Sequence, residues 1–182
     1  MLVTQPKNTY EVKTMTAQSM AEYSATETYS KNILGPAFFE MNGLTVAGTS
    51  DATKIGLDVA PANSPYIVAD SEQFSVSLTV KFNKSPLTSL LMCLGTEVHV
   101  RFAFEGIGGA AAEEDVEVYI TTVKDTYEYE LKWTGTPNNA QLTPGLYGVA
   151  AVAQVGPVKH ECSQPIIGYG YLAGRLLQVY PA

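Results

Sequence analysis

The chain has 182 residues, 46% of them hydrophobic and only 16% charged, with a formal net charge of −7. That length and apolar content allow one sizeable domain with a real core and exclude wholesale disorder. The acidic balance, with no basic run, argues against nucleic acid as a partner, and no stretch approaches the roughly 18 apolar residues of a membrane helix.

Residues 1–63 are rich in Thr, Ser, Asn and Ala, with irregular hydrophobic spacing. The opening MLVTQPKNTYEVK lacks the apolar segment of a secretory signal, which favours the cytoplasm. TAQSMAEYSATETYSKN makes no convincing apolar stripe and reads as at most a weak helix. Asn42-Gly43, inside FFEMNGLTVAG, is a short hairpin signal. The whole region reads as an N-terminal arm holding at most one hairpin, joined through PANSP to a second region over 64–182. Its aromatics, Tyr10, Tyr23, Tyr29, Phe38 and Phe39, are too many for a solvated tail. They are expected to pack on a neighbouring subunit.

From Tyr66 onward a period of two dominates, which predicts strands with one core face and one polar face. A short strand is expected over Tyr66–Ala69. Phe74, Val76, Leu78, Val80 and Phe82 alternate with Ser75, Ser77, Thr79 and Lys81. SPLTSLLMCLG, over 85–95, clusters Leu90, Leu91, Met92 and Leu94 without alternation and reads as a buried helical turn in a crossover between sheets; the competing reading is a partner surface. Val98, Val100, Phe102 and Phe104 form the next inward set, opposite Glu97, His99 and Arg101. EGIGGAAAEEDVEV, over 105–118, reads as a solvated hairpin tip, since its spacing is not that of a phosphate loop and its carboxylates repel phosphate. Val116, Val118 and Ile120, then Tyr127, Tyr129, Leu131 and Trp133, give two more inward sets. The expected final strand is Leu176–Tyr180.

LTPGLYGVAAVAQV, from Leu142 to Val155, is the most informative stretch. Pro144 and Gly145 mark a turn, and Tyr147 then opens a run apolar or small on both faces, as in a buried central strand. This resembles the tyrosine corner leading into a strand of immunoglobulin-like sandwiches, where the tyrosine hydroxyl bonds back to the preceding backbone. About seven strands in some 115 residues then imply an all-β, antiparallel β-sandwich of immunoglobulin-like type, with an N-terminal extension; the alternative is a jelly roll. In the immunoglobulin-like layout the connections holding Cys93 and Cys162 lie at one end of the sandwich, so a disulfide between them is a candidate, against two free thiols.

No chemistry stands out. Cys93, His99, His160 and Cys162 lack the tight ligand pairs of a metal site, and Glu113, Glu114 and Asp115 lack the spacing of a calcium loop. No nucleophile motif surrounds either histidine, so neither enzyme, cofactor nor metal is expected. Tyr169 and Tyr171, in IIGYGYLAG, read as contact residues in a glycine-rich loop. The expected function is a non-catalytic structural or assembly protein, homo-oligomeric or bound to a protein partner through its arm and apolar surface. The alternative is a carbohydrate- or other ligand-binding module using the tyrosine-bearing loop.

Overall fold

A computed structural model describes residues 34–48, 66–109, 112–161 and 165–182 of the chain. Among these residues eight strands and one α-helix follow in order: β1 (Phe39–Gly48), β2 (Ile67–Ala69), β3 (Phe74–Phe82), α1 (Pro86–Leu94), β4 (Thr96–Ile107), β5 (Glu114–Thr121), β6 (Glu128–Gly135), β7 (Gly145–Val158) and β8 (Gly168–Tyr180), with a short 3-10 turn at Asn138–Ala140 before β7. They make an all-β sandwich, with a three-stranded sheet ordered β1-β3-β6 and a five-stranded sheet ordered β2-β8-β7-β4-β5. Every pairing is antiparallel except β2 with β8, which run parallel.

The alternation read from β3 holds along its whole length: Phe74, Val76, Leu78, Val80 and Phe82 are buried and the residues between them are not. Within the smaller sheet Phe74 meets Trp133 at 5.3 Å in a tilted contact, and between the sheets it meets the edge of Phe104 at 5.9 Å, centroid to centroid. The edge-on contact is an arrangement that aromatic quadrupoles favour. The stripe of Tyr127, Tyr129 and Trp133 therefore lies against the core and is not a solvent-facing platform.

The chain crosses between sheets through α1. Ser85 caps its first turn by accepting from the Thr88 N–H at 3.1 Å, Pro86 needs no partner at the helix start, and Gly95 closes it in the left-handed region at φ 75°. Met92 faces the core and Leu91 packs against it, while Leu90 and Leu94 remain exposed. Cys93 is exposed on this helix; Cys162, its candidate disulfide partner, lies outside the described residues.

Tyr147 is fully buried, and its hydroxyl donates to the Thr143 carbonyl at 2.6 Å. The corner bond expected from the sequence is present. Behind it β7 buries Val149, Ala151, Ala153 and Val155, between β4 on one side and β8 on the other.

Two expectations need correction. The boundary at residue 63 cuts through the sandwich, because β1 pairs with β3 along its length, buries Leu44 and Val46, and packs Phe39 on Phe82 of the same chain, at 5.8 Å between ring centroids, and not on a neighbouring subunit. Residues 1–33 and 49–65 lie outside the described residues, so Tyr10, Tyr23 and Tyr29 of the arm do too. Asn42-Gly43 is likewise no hairpin turn. Between the pairs Asn42/Thr79 and Thr45/Ser77, β1 spends Gly43 and Leu44 where β3 spends only Leu78, a bulge that Gly43 accommodates at φ 66°.

Two substitutions test this architecture. Tyr147→Phe removes one buried hydrogen bond and should lower stability by about 1 kcal/mol, read as a shifted denaturation midpoint. Val76→Asp would bury an unpaired charge and should abolish cooperative unfolding, whereas Thr79→Lys, opposite Glu130 on the outer face, should leave the midpoint nearly unchanged.

Candidate functional site

The outer face of the five-stranded sheet is where exposed large side chains and polar networks collect. Strand register arranges its outward residues in rows. One row runs Tyr119, His99, Gln154, Tyr169 across β5, β4, β7 and β8, and the next runs Glu117, Arg101, Val152, Tyr171. These rows unite Tyr169 and Tyr171 with residues that include His99, Arg101, Glu117 and Tyr119, 50 or more positions away in sequence.

Tyr169 and Tyr171 are 63% and 67% exposed, among the most exposed aromatics of the described chain. They do not sit in a loop. Both belong to β8, two residues apart on one face, so their attachment points are spaced by roughly 6.5–7 Å. The glycines that suggested a loop serve a packing need. A Cβ on Gly168 would come within 3.3 Å of the Phe39 ring, and one on Gly170 within 2.8 Å of it and into collision with the Met41 sulfur. Glycine on the inner side of β8 lets β1 pack closely beneath it.

The β4–β5 half of the face is charged and self-paired. Glu117 accepts from the Tyr119 hydroxyl at 2.6 Å and from Arg101 Nε at 3.2 Å; Arg101 also lies 3.6 Å from Asp115. The His99 ring stacks on Tyr119 with centroids 4.1 Å apart and planes 8° apart, and its Nε2 lies 3.6 Å from Glu117, beyond hydrogen-bond range. The Tyr119 hydrogen bond, aided by His99 and Arg101, holds the Glu117 carboxyl below its ordinary range, and the same bond holds the Tyr119 phenol above its own. His99 faces outward, as the alternation predicts.

The β7–β8 half differs in kind. Its outward positions include Leu146, Val152, Gln154, Tyr169, Tyr171, Leu176 and Gln178, and no charged side chain is among them. Leu146, Val152 and Leu176 are 38%, 37% and 54% exposed. A groove of about 420 Å³ lies beside Leu146 and Leu176, bounded by Tyr66, Ile67 and Arg175. Neither sheet half gathers three or more potential metal ligands among the described residues. Val152 and Leu146 are not legible as surface residues in the sequence, because β7 reads as apolar on both faces. Only the register with β8 shows which face is covered.

No family model matches the chain, and no curated protein does. Solved structures that it resembles at a low level include the following three. The Pseudomonas fluorescens alkylpurine DNA glycosylase AlkC, bound to DNA containing an abasic site analogue, is 12% identical over 79% of this chain and 30% of that one, with a TM-score of 0.34. AggA, the major subunit of aggregative adherence fimbriae type I from Escherichia coli, is 9% identical over 82% of this chain and 98% of that one, with a TM-score of 0.34. A β-glucosidase from Listeria innocua in complex with gluconolactone is 10% identical over 79% of this chain and 16% of that one, with a TM-score of 0.35. The chain thus spans less than a third of the glycosylase and of the glucosidase, and likenesses at these scores carry no argument for it. No helix among the described residues is long and apolar enough to cross a membrane.

The Glu117 knot yields a pH test. A carboxyl whose folded-state pKa is lowered contributes stability above its unfolded value, and that contribution is lost as pH falls through the folded value. Tyr119→Phe removes the largest cause, so the Glu117 pKa should rise toward the ordinary carboxylate range in a side-chain NMR titration. An unmoved Glu117 titration in the variant would show that the bond is absent in solution.

Proposed function

We propose that this chain is a non-catalytic structural subunit that assembles, with copies of itself or with a protein partner, through its N-terminal arm and the uncharged β7–β8 strip. The observation that carries this reading is the strip itself. Protein interfaces deplete charge at their centre, enrich tyrosine and surround the patch with polar residues. Here exposed Tyr169, Tyr171, Val152, Leu146 and Leu176 share one uncharged face, rimmed by the Glu117–Arg101 network. Such contiguous apolar exposure is uncommon on a soluble monomer that has no partner. The arm enters from its sequence, whose aromatics call for packing that a solvated tail does not provide.

A second reading, carbohydrate binding, is favoured by one observation: Tyr169 and the stacked Tyr119–His99 pair lie in one row with Gln154 between them. Tyrosine faces suit the apolar faces of sugar rings, and Gln154 would supply hydrogen bonds.

The test uses the full chain. Size-exclusion chromatography with light scattering should show a mass above the monomer that falls to the monomer in the double substitution Tyr169→Lys, Tyr171→Lys. Both positions are exposed, so the fold should survive the change. A full chain that is monomeric at every concentration and binds immobilised glycan in a Tyr169-dependent way would replace the assembly reading with the second one.

A further inference from the structure

The outer edge of β8 is only partly used. β2 pairs with it at Gln178, Val179 and Tyr180, and among the described residues no strand pairs with that edge from Gly168 to Leu177. Backbone N–H and C=O groups on an open edge form a template for another strand, and proteins ordinarily protect such edges with charges, proline or a covering segment. The run IIGYGYLAG, residues 166–174, holds neither charge nor proline; Pro165 and Arg175 stand just outside it. Ile166 and Ile167 are 40% and 44% exposed. Nothing within this run opposes approach by another strand.

We infer that two copies of this chain pair their β8 edges antiparallel about a twofold axis at Gly170, joining two five-stranded sheets into one continuous sheet. The inference rests on the assembly reading above and names its partner as a second copy. Register selects that partner, and the absence of charge from the run permits it. Each chain carries a net charge of −7, so a self-contact must fall where no charge sits, and this run is such a place. A twofold contact is also self-complementary by construction. Centred on Gly170, it sets Tyr169 of each copy opposite Tyr171 of the other, giving two cross-strand aromatic pairs on the outer face. On the inner face it sets Leu172 opposite Gly168, a large side chain opposite a residue with none. Arg175 does not intrude, because its Nε is engaged with the Leu44 carbonyl at 2.7 Å. Addition of a strand to an open edge is an established mode of protein recognition.

Cysteine pairing tests the register directly. Facing residues in an antiparallel pair lie within disulfide reach, whereas residues displaced by two positions do not. Full-length Tyr169→Cys and Tyr171→Cys proteins, each with Cys93→Ser and Cys162→Ser, are oxidised alone and as an equal mixture. The mixture should yield several-fold more disulfide-linked dimer than either protein alone, and sedimentation of the unsubstituted chain should show a concentration-dependent dimer. A dimer by sedimentation with no excess of mixed disulfide overturns the edge pairing and leaves assembly through the strip standing. A chain that sediments as a monomer up to its solubility limit overturns the edge pairing and self-assembly through the strip alike.

Discussion

The hydrogen bond from Tyr147 to the Thr143 carbonyl fixes where β7 begins, and the register of β7 orders most of the larger sheet. β7 is the middle strand, hydrogen-bonded to β4 on one side and β8 on the other. Because side chains alternate with a period of two, a slip of one residue would turn Val149, Ala151 and Ala153 outward and bring Gln154 in. A buried hydroxyl that must meet one particular carbonyl removes that freedom at the strand's first turn. The rows of the outer face, and with them the neighbours of Tyr169 and Tyr171, follow from that anchor.

A second tyrosine performs a comparable task at another turn. The Tyr129 hydroxyl donates to the Thr126 carbonyl at 2.8 Å and accepts from the Val123 N–H at 3.0 Å, tying down the connection between β5 and β6, where Asp125 adopts φ 63°. Burial pushes its phenol above the ordinary tyrosine range. Both tyrosines place an apolar ring in the core and use the polar tip to satisfy backbone that a turn leaves unpaired.

Legibility in the sequence followed the clarity of alternation. β3, β4, β5 and β6 each have one wet and one dry face, and their inward sets were readable residue by residue. β1 was not, because the Gly43 bulge breaks its period, and Asn42-Gly43 carries the same local signature as a hairpin turn. The first half of β8 was missed for a related reason. Glycine in a strand is chosen for what lies beneath it, here Phe39 and Met41, and a single sequence cannot show a close approach across about 130 residues. The candidate site was legible only as its two most conspicuous members, Tyr169 and Tyr171. Their companions come from β4, β5 and β7, and residue patterns alone do not say which strands are neighbours. What the sequence suggests before Leu34 lies outside the described residues.

The parallel pairing of β2 with the end of β8 also constrains how the chain folds. Ile67–Ala69 meet Gln178–Tyr180 across more than a hundred residues, and Leu177 and Val179 fill the core from the last strand. Contacts this distant in sequence incur their loop-closure entropy before any stabilisation is gained, which slows folding. During synthesis, β7 can pair with β4, already made, while the strand that covers its second edge is still to come, so one long edge stands open for a time. The corner at Tyr147 closes within five residues and needs no distant partner. It supplies local order to the central strand before the sheet around it is complete.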